Sequence, residues 1–288
     1  MSTVDTIEHQ ISDSDFDHFT ESLEKWSGIV ISRSKKYLVA HRLEDLMAEN
    51  GCQTLRQLVA KAGEIRHALL RKKIVDAMTT NETSWFRDVY PFDTLKRKLF
   101  RKYEELNGDA PIRIWSAACS TGQEPYGISI SFQQYLSLES KHNSSGIEII
   151  ATDISPTALA AARMGVYDNL SMSRGCKASF REMYFTTDKN NVSTVRPEIK
   201  SFVNFKPLNL MDSYQSLGIF DVIFLRYVLI YFSDEAKKDI IHRISRRLKP
   251  GGALFLGSTE SLVRHSDEFE MVKDGAGLYY QRKELLAG

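Results

Sequence analysis

The sequence predicts an α/β domain built on an open, mostly parallel sheet, preceded by an all-helical domain. Three observations carry this expectation. From residue 111 onward, short β-branched runs alternate with helical stretches, the pattern of a parallel sheet covered on both faces. Residues 12 to 88 instead carry apolar side chains at helical spacing. Between residues 165 and 202 the alternation breaks in a polar stretch punctuated by Gly175, Asn190-Asn191 and Pro197. That stretch is longer than a strand connection in such a sheet needs, so an inserted helix and small β unit are expected there.

The N-terminal helices follow in order. Phe16, Phe19, Leu23 and Trp26 recur one turn apart behind Ser12 and Ser14, both good caps. Val39, Leu43, Leu46 and Met47 mark a second helix, stopped by Asn50-Gly51. Leu55, Leu58, Val59 and Ala62 mark a third, and residues 64 to 78 a fourth. A further helix is expected over 91 to 106, reached through "TTNETSWFRD" without a glycine-rich linker. The expected domains are therefore 1–90, helical, and 91–288, with the insertion at about 165–202.

The expected strands are 112–117, 147–153, 203–210, 220–226 and 252–258, with helices at 125–138, 156–164 and 234–248. The polar loop "SLESKHNSSG" precedes the second strand. "FEMVKDGAGLYYQRK" reads as a terminal hairpin turning at Asp274-Gly275, antiparallel to the rest.

Composition removes several function classes. Of 288 residues, 42% are hydrophobic and 26% charged, with a net charge of +1, so no bulk polybasic character points to nucleic acid or an anionic membrane. The longest apolar run, "YVLIYF" at 227–232, is far too short to span a bilayer, and the acidic, polar start is unlike a secretory leader. Cys52, Cys119 and Cys176 form no CxxC pair, which fits reduced thiols in a cytoplasmic protein. The seven histidines show no HxxxH or HExxH spacing, so no metal site is expected.

Ligands of open parallel sheets bind at the carboxyl ends of the strands, and the residues there set the chemistry. After the first strand comes "SAACSTGQEP", whose small residues and Gly122 let the backbone approach a flat ligand closely. Glu124 stands at the start of the next helix, where it repels phosphate but accepts a cation or amino group. Asp153 closes the second strand and suits the two hydroxyls of a ribose; the competing reading is a cap on the helix starting at Pro156. Asn209 and Leu210 follow the third strand and suit the edge and face of an adenine. Arg226, Tyr227 and Tyr231 follow the fourth. An arginine between two apolar runs needs a partner or a cleft, and a purely structural ion pair would also account for it.

There is no GxxxxGK[ST], and the first turn does not fit GxGxxG. A nucleoside-binding sheet without phosphate hardware suits S-adenosylmethionine, which has a ribose, an adenine and a sulfonium but no phosphate. Glu124 would lie near its cationic amino-acid end.

"TTNETSWFRD", "IWSAACSTGQEPYGISI", "ATDIS" and "FDVIFLRYVLIYF", in this order, resemble the chemotaxis receptor glutamate methyltransferases, the CheR family. The resemblance runs over nearly the whole chain. It implies a helical N-terminal domain and a Rossmann-like methyltransferase sheet with a small inserted β-subdomain. It also implies methyl transfer from S-adenosylmethionine to receptor glutamates, releasing S-adenosylhomocysteine. By position, the family's cofactor-binding residues fall on Asn81, Thr83, Arg87, Glu124, Asp153, Asn209, Leu210, Arg226 and Tyr227. Arg87 and Tyr231 match the arginine and tyrosine placed near the transferred methyl. Two departures stand out. Tyr227 replaces the family's usual asparagine, which preserves a backbone contact but not an amide contact. The insertion, from "MYF" to "VRPEI", is shorter and poorer in glycine than in members that grip a receptor's C-terminal tether peptide, so docking without a tether is expected.

A glutamate carboxylate is ionised and nucleophilic at neutral pH, so the reaction needs positioning rather than a general base. The implied partner is the cytoplasmic helical bundle of a chemoreceptor, met by a monomer without nucleic acid or membrane insertion. Arg33, Lys35, Lys36 and Arg42, and Arg66, His67, Arg71, Lys72 and Lys73, are the basic clusters expected to dock on it. A methyltransferase acting on another substrate, and a non-catalytic signalling adapter on the same fold, are the alternatives.

Overall fold

The computed structural model describes residues 11–138, 146–275 and 277–284. The polar loop before the second strand lies largely outside the described residues, as do the first ten residues. Contacts divide the chain into two units. One takes residues up to Thr80 together with Tyr231–Ala236, and the other takes Asn81–Ile230 and the remainder from Lys237. The division falls before Trp85, Phe86 and Phe92 because these three are built into the sheet's hydrophobic core.

The first unit is helical, with helices Asp13–Ser27, Lys36–Glu49, Leu55–Gly63 and Ala68–Met78. Ser12 caps the first by accepting from Asp15 N–H at 3.0 Å. Gly28 ends it at φ 78°, the left-handed conformation that glycine adopts without a side-chain clash. Thr54 and Gln57 form a reciprocal capping box on the third helix. Phe16, Phe19, Leu23, Val39, Leu43, Leu58 and Ile74 are buried, so the apolar periodicity does face inward, although Trp26 is only half-buried. The fourth helix begins later than 64, behind a 3-10 turn at Ile65–His67. Tyr231 belongs with this unit: its carbonyl accepts from Val30 N–H at 2.8 Å.

In the second unit the strands are β1 (Ile112–Ala117), β2 (Ile147–Asp153), β3 (Val166–Tyr167), β4 (Phe185–Thr187), β5 (Ser193–Val195), β6 (Val203–Pro207), β7 (Phe220–Leu225), β8 (Leu248–Leu256), β9 (Phe269–Asp274) and β10 (Gly277–Arg282). Among the described residues they form a seven-stranded sheet of order β6-β2-β1-β7-β8-β10-β9 and a three-stranded sheet of order β3-β5-β4. The large sheet is parallel except for β10, which runs antiparallel to β8 and pairs with β9 as the terminal hairpin. The α/β expectation, with its inserted β-subdomain and terminal hairpin, therefore holds.

Helix Gln123–Leu138 is buried nearly all round, through Tyr126, Ile128, Ile130 and Phe132, which is why it shows no one-sided apolar stripe. The helix expected at 91–106 runs as Tyr90–Thr94 and Phe100–Asn107, joined by a π-helical turn at Leu95–Leu99. Third, the insertion holds the short helices Asn169–Ser173, Ala178–Tyr184 and Pro197–Lys200 around its small sheet. Among the described residues no helix is long and apolar enough to cross a membrane.

Candidate active site

The register of the central strands assembles the site. Ala117, the last residue of β1, pairs with Thr152 on one side and Leu225 on the other. Asp153 and Arg226 therefore each stand one residue beyond that level and flank the loop 118–122 between them. Ala118, Ser120 and Gly122 in this loop have φ of 61°, 50° and 94°. Left-handed residues at alternate positions turn neighbouring amides to one side, and non-glycine residues hold such angles only under outside restraint.

Asp153 supplies that restraint. One of its carboxylate oxygens accepts from Ser120 N–H at 2.8 Å, and the other from Ser155 N–H at 2.9 Å. The following helix is capped by Ser155, whose hydroxyl accepts from Ala158 N–H at 2.9 Å. The capping reading of Asp153 is thus replaced: the residue fixes the loop, and its buried carboxylate stays at the sheet edge. On the next strand, Pro207 pairs with Asp153, and Leu208 N–H donates to the Asp153 carbonyl at 3.0 Å. Asn209 and buried Leu210 follow directly. The Asn209 side chain accepts from Met211 N–H at 3.0 Å, which shapes that turn.

The "TTNETSWFRD" stretch reaches the same place. Ser120 Oγ donates to the Asn81 carbonyl at 2.9 Å, and Thr83 lies two residues on, half-buried. Trp85 is packed inside the core. Its ring meets Tyr167 and Phe185 edge-on, and its backbone N–H donates to the Arg174 carbonyl at 2.9 Å.

Arg226 ties the remaining parts together. Its guanidinium, 3% exposed, donates to Glu124 at 2.9 Å, to Asp88 at 2.8 Å and to the Arg87 carbonyl at 2.6 Å. Burial works against its charge, but Glu124 and Asp88 outweigh burial, so it stays protonated. Burial likewise raises Asp88, yet the hydrogen bonds from Tyr227 and Arg226 and the nearby charge hold that carboxyl below its usual range. Glu124 also accepts from Ser116 Oγ at 2.7 Å. Arg87 lies with its guanidinium carbon 3.4 Å from the centroid of the Tyr227 ring. The Tyr227 hydroxyl meets Asp88 at 2.7 and 2.8 Å.

Glu260 completes the frame. Its carboxylate accepts from the N–H groups of Tyr227 at 2.6 Å, Gly257 at 2.9 Å and Leu229 at 3.0 Å. Tyr227 is thereby held at φ 56°. Asp88 and Glu260 escape a reading of the sequence because they restrain backbone, which leaves no periodic trace. Asp88 alone had a signal, its place beside Arg87.

Glu124, Arg226, Arg87 and Tyr227 are thus linked by contacts among themselves and with Asp88, and Asn81 and Asp153 are linked through Ser120, with Asn209 and Leu210 on the adjoining strand end. Tyr231 closes the turn Leu229–Tyr231 and is grouped with the helical unit. Of the basic residues expected to dock, Arg42 is spent on the carbonyls of Ala77 and Thr79 at 3.3 and 2.8 Å. Arg33 pairs with Asp17, Lys36 with Asp13, Arg66 with Glu64 and Lys73 with Glu49. Among the described residues no group of His, Cys, Asp and Glu is placed to hold a metal.

An open parallel sheet whose carboxyl edge presents a carboxylate-braced, glycine-poor loop and no lysine-bearing phosphate turn defines a nucleoside-cofactor enzyme of the methyltransferase type. Family models described as "CheR methyltransferase, all-alpha domain" and "CheR methyltransferase, SAM binding domain" match residues 14–79 and 81–277. The chain is 45% identical over 272 residues to chemotaxis protein methyltransferase 1 of Pseudomonas aeruginosa, a match covering 94% of this chain and 99% of that one. It is 45% identical to chemotaxis protein methyltransferase Cher2 of Pseudomonas putida, over 93% and 98% of the two chains. With the chemotaxis protein methyltransferase of Vibrio parahaemolyticus it shares 44%, over 95% and 98%. The chain belongs to the CheR methyltransferase family, and its cofactor is S-adenosylmethionine. The residues present fit that group: the edge offers carboxylates toward hydroxyls and an amino group, and the Arg87 guanidinium, stacked on Tyr227, toward a carboxylate.

Proposed function

We propose that this protein is a cytoplasmic protein-glutamate O-methyltransferase that methylates the helical bundle of chemoreceptors during sensory adaptation. The observation that carries the reading is the match over both domains to proteins named chemotaxis protein methyltransferase. S-adenosylmethionine supplies an electrophilic methyl on a sulfonium; the products are a glutamate methyl ester and S-adenosylhomocysteine.

The chain's own residues bind and orient. Asp153 accepts the ribose hydroxyls through its carboxylate at the strand end. Glu124 accepts the amino group in the same way. Asn209 and Leu210 take the adenine edge and face, and Asn81 and Thr83 line the amino-acid end. Arg226 holds Glu124 and Asp88 in register. Arg87 takes the cofactor's carboxylate through paired charge-assisted hydrogen bonds. Tyr231 offers a hydroxyl or a ring face beside the methyl-bearing sulfur. No residue need remove a proton, because the attacking carboxylate is already ionised. The helical N-terminal domain docks on the receptor, with Lys35, Arg71 and Lys72 as its contacts. Docking without a tether peptide is supported by the short β4–β5 hairpin.

Incubation with methyl-tritiated S-adenosylmethionine and receptor-enriched membranes tests this. Base-labile label on the receptor is the expected result. Label on RNA, or receptor binding with no transfer, would contradict it.

A further inference from the structure

Among the described residues Arg87 makes no ion pair, although two acidic residues share its segment and Glu82 lies near enough to feel its charge. Glu82 pairs with Arg174 at 2.5 Å, and Asp88 is held by Arg226 and by both contacts from the Tyr227 hydroxyl. Among the described residues the Arg87 side chain makes no hydrogen bond or ion pair. Its neighbour is the Tyr227 ring, 3.4 Å away. A guanidinium stacked by its face leaves its in-plane N–H donors unspent, and those donors form a two-pronged carboxylate receptor.

We infer that Tyr227 is a positioning residue for Arg87: its ring stacks the guanidinium while its hydroxyl holds the neighbouring carboxylate of Asp88 away, which keeps Arg87 open for the cofactor's carboxylate. The inference rests on the assignment of Arg87 to that carboxylate. It departs from a direct role of residue 227 in gripping the cofactor through its side chain, since the hydroxyl is committed to Asp88 and Ser258. The backbone around Tyr227 is built for the task. Glu260 pins its N–H, and a Cβ on Gly257 would lie 2.9 Å from the ring, so only glycine lets the ring sit there.

The test is calorimetric titration of the full chain with S-adenosylhomocysteine and with its decarboxylated analogue, S-adenosyl-3-thiopropylamine. Tyr227→Phe keeps the ring but leaves Asp88 held by Arg226 alone, and should weaken S-adenosylhomocysteine by roughly three- to tenfold. Tyr227→Leu should weaken it further. Both variants should bind the decarboxylated analogue within about twofold of wild type, as should Arg87→Ala, which loses the carboxylate preference outright. Adding Tyr227→Leu to Arg87→Ala should cost nothing more, and adding Asp88→Asn to Tyr227→Phe should restore much of the lost affinity. If Arg87→Ala loses the preference while both tyrosine variants bind normally, the role of Tyr227 is refuted and that of Arg87 stands. Equal losses for both ligands in Tyr227→Phe would mark a general structural role and also refute it. If Arg87→Ala keeps the preference, the assignment of Arg87 fails, and the inference with it.

Discussion

Arg226 marks where the sequence stopped being informative at the scale of single residues. A lone arginine between "FDVIFL" and "YVLIYF" could be placed at a strand end, and its need for a partner follows from the cost of burying a charge. Its partners, Glu124 and Asp88, lie 102 and 138 positions away and were set by strand register rather than by local pattern. Asp153 was readable as a carboxylate at the edge, but its grip on Ser120 was not, because that contact depends on a left-handed loop. The charge network has a measurable pH signature. The Asp88 carboxyl titrates below its ordinary value of 3.8, so its folded form binds a proton less readily than its unfolded form. Its contribution is then fully present above about 3.8 and fades as pH falls through the depressed value. Asp88→Asn should be less stable than wild type at neutral pH, and the gap in urea midpoint should narrow as pH falls below the ordinary value of 3.8. A gap that persists unchanged into acid would show that the ionised form of Asp88 carries none of this stability.

Among the elements, the large sheet was legible and the insertion only partly so. Short apolar runs at 149–151, 222–225 and 253–256, within β2, β7 and β8, betray strands buried on both faces. Strands of two or three residues such as β3, β4 and β5 carry no period, so only the presence of a β unit could be foreseen. The π-helical turn at Leu95–Leu99 was hidden because apolar spacing does not separate an i+4 from an i+5 ladder over one turn. Gly175 joins the insertion to the segment that bears Arg87. It sits at φ 98°, and a Cβ there would come within 2.2 Å of the Trp85 carbonyl oxygen. Gly175→Ala should therefore destabilise the protein by at least ~2 kcal/mol, read as a lower urea midpoint at unchanged slope. A variant matching wild type would show that the insertion and this segment are not in such close contact.

For the whole molecule, two textures of the sequence, helical spacing over 12–88 and alternating elements from 111, foretold a helical unit and a sheet unit, with the boundary expected at 90; contacts divide them at Thr80. Family membership then fixes the cofactor, and the sheet's carboxyl edge supplies a physical reason for it: carboxylates brace the loop where a dinucleotide enzyme places glycines for pyrophosphate. The central claim is that Asp153 both shapes this edge and receives the nucleoside. Calorimetric titration of wild type and Asp153→Ala with S-adenosylhomocysteine tests it most directly, with a single cooperative thermal unfolding transition as the control for folding. The account predicts tight binding by wild type and a loss of about a hundredfold or more in the variant, as expected when charge-assisted hydrogen bonds to both ribose hydroxyls are removed. An Asp153→Ala protein that folds and binds with wild-type affinity would contradict it.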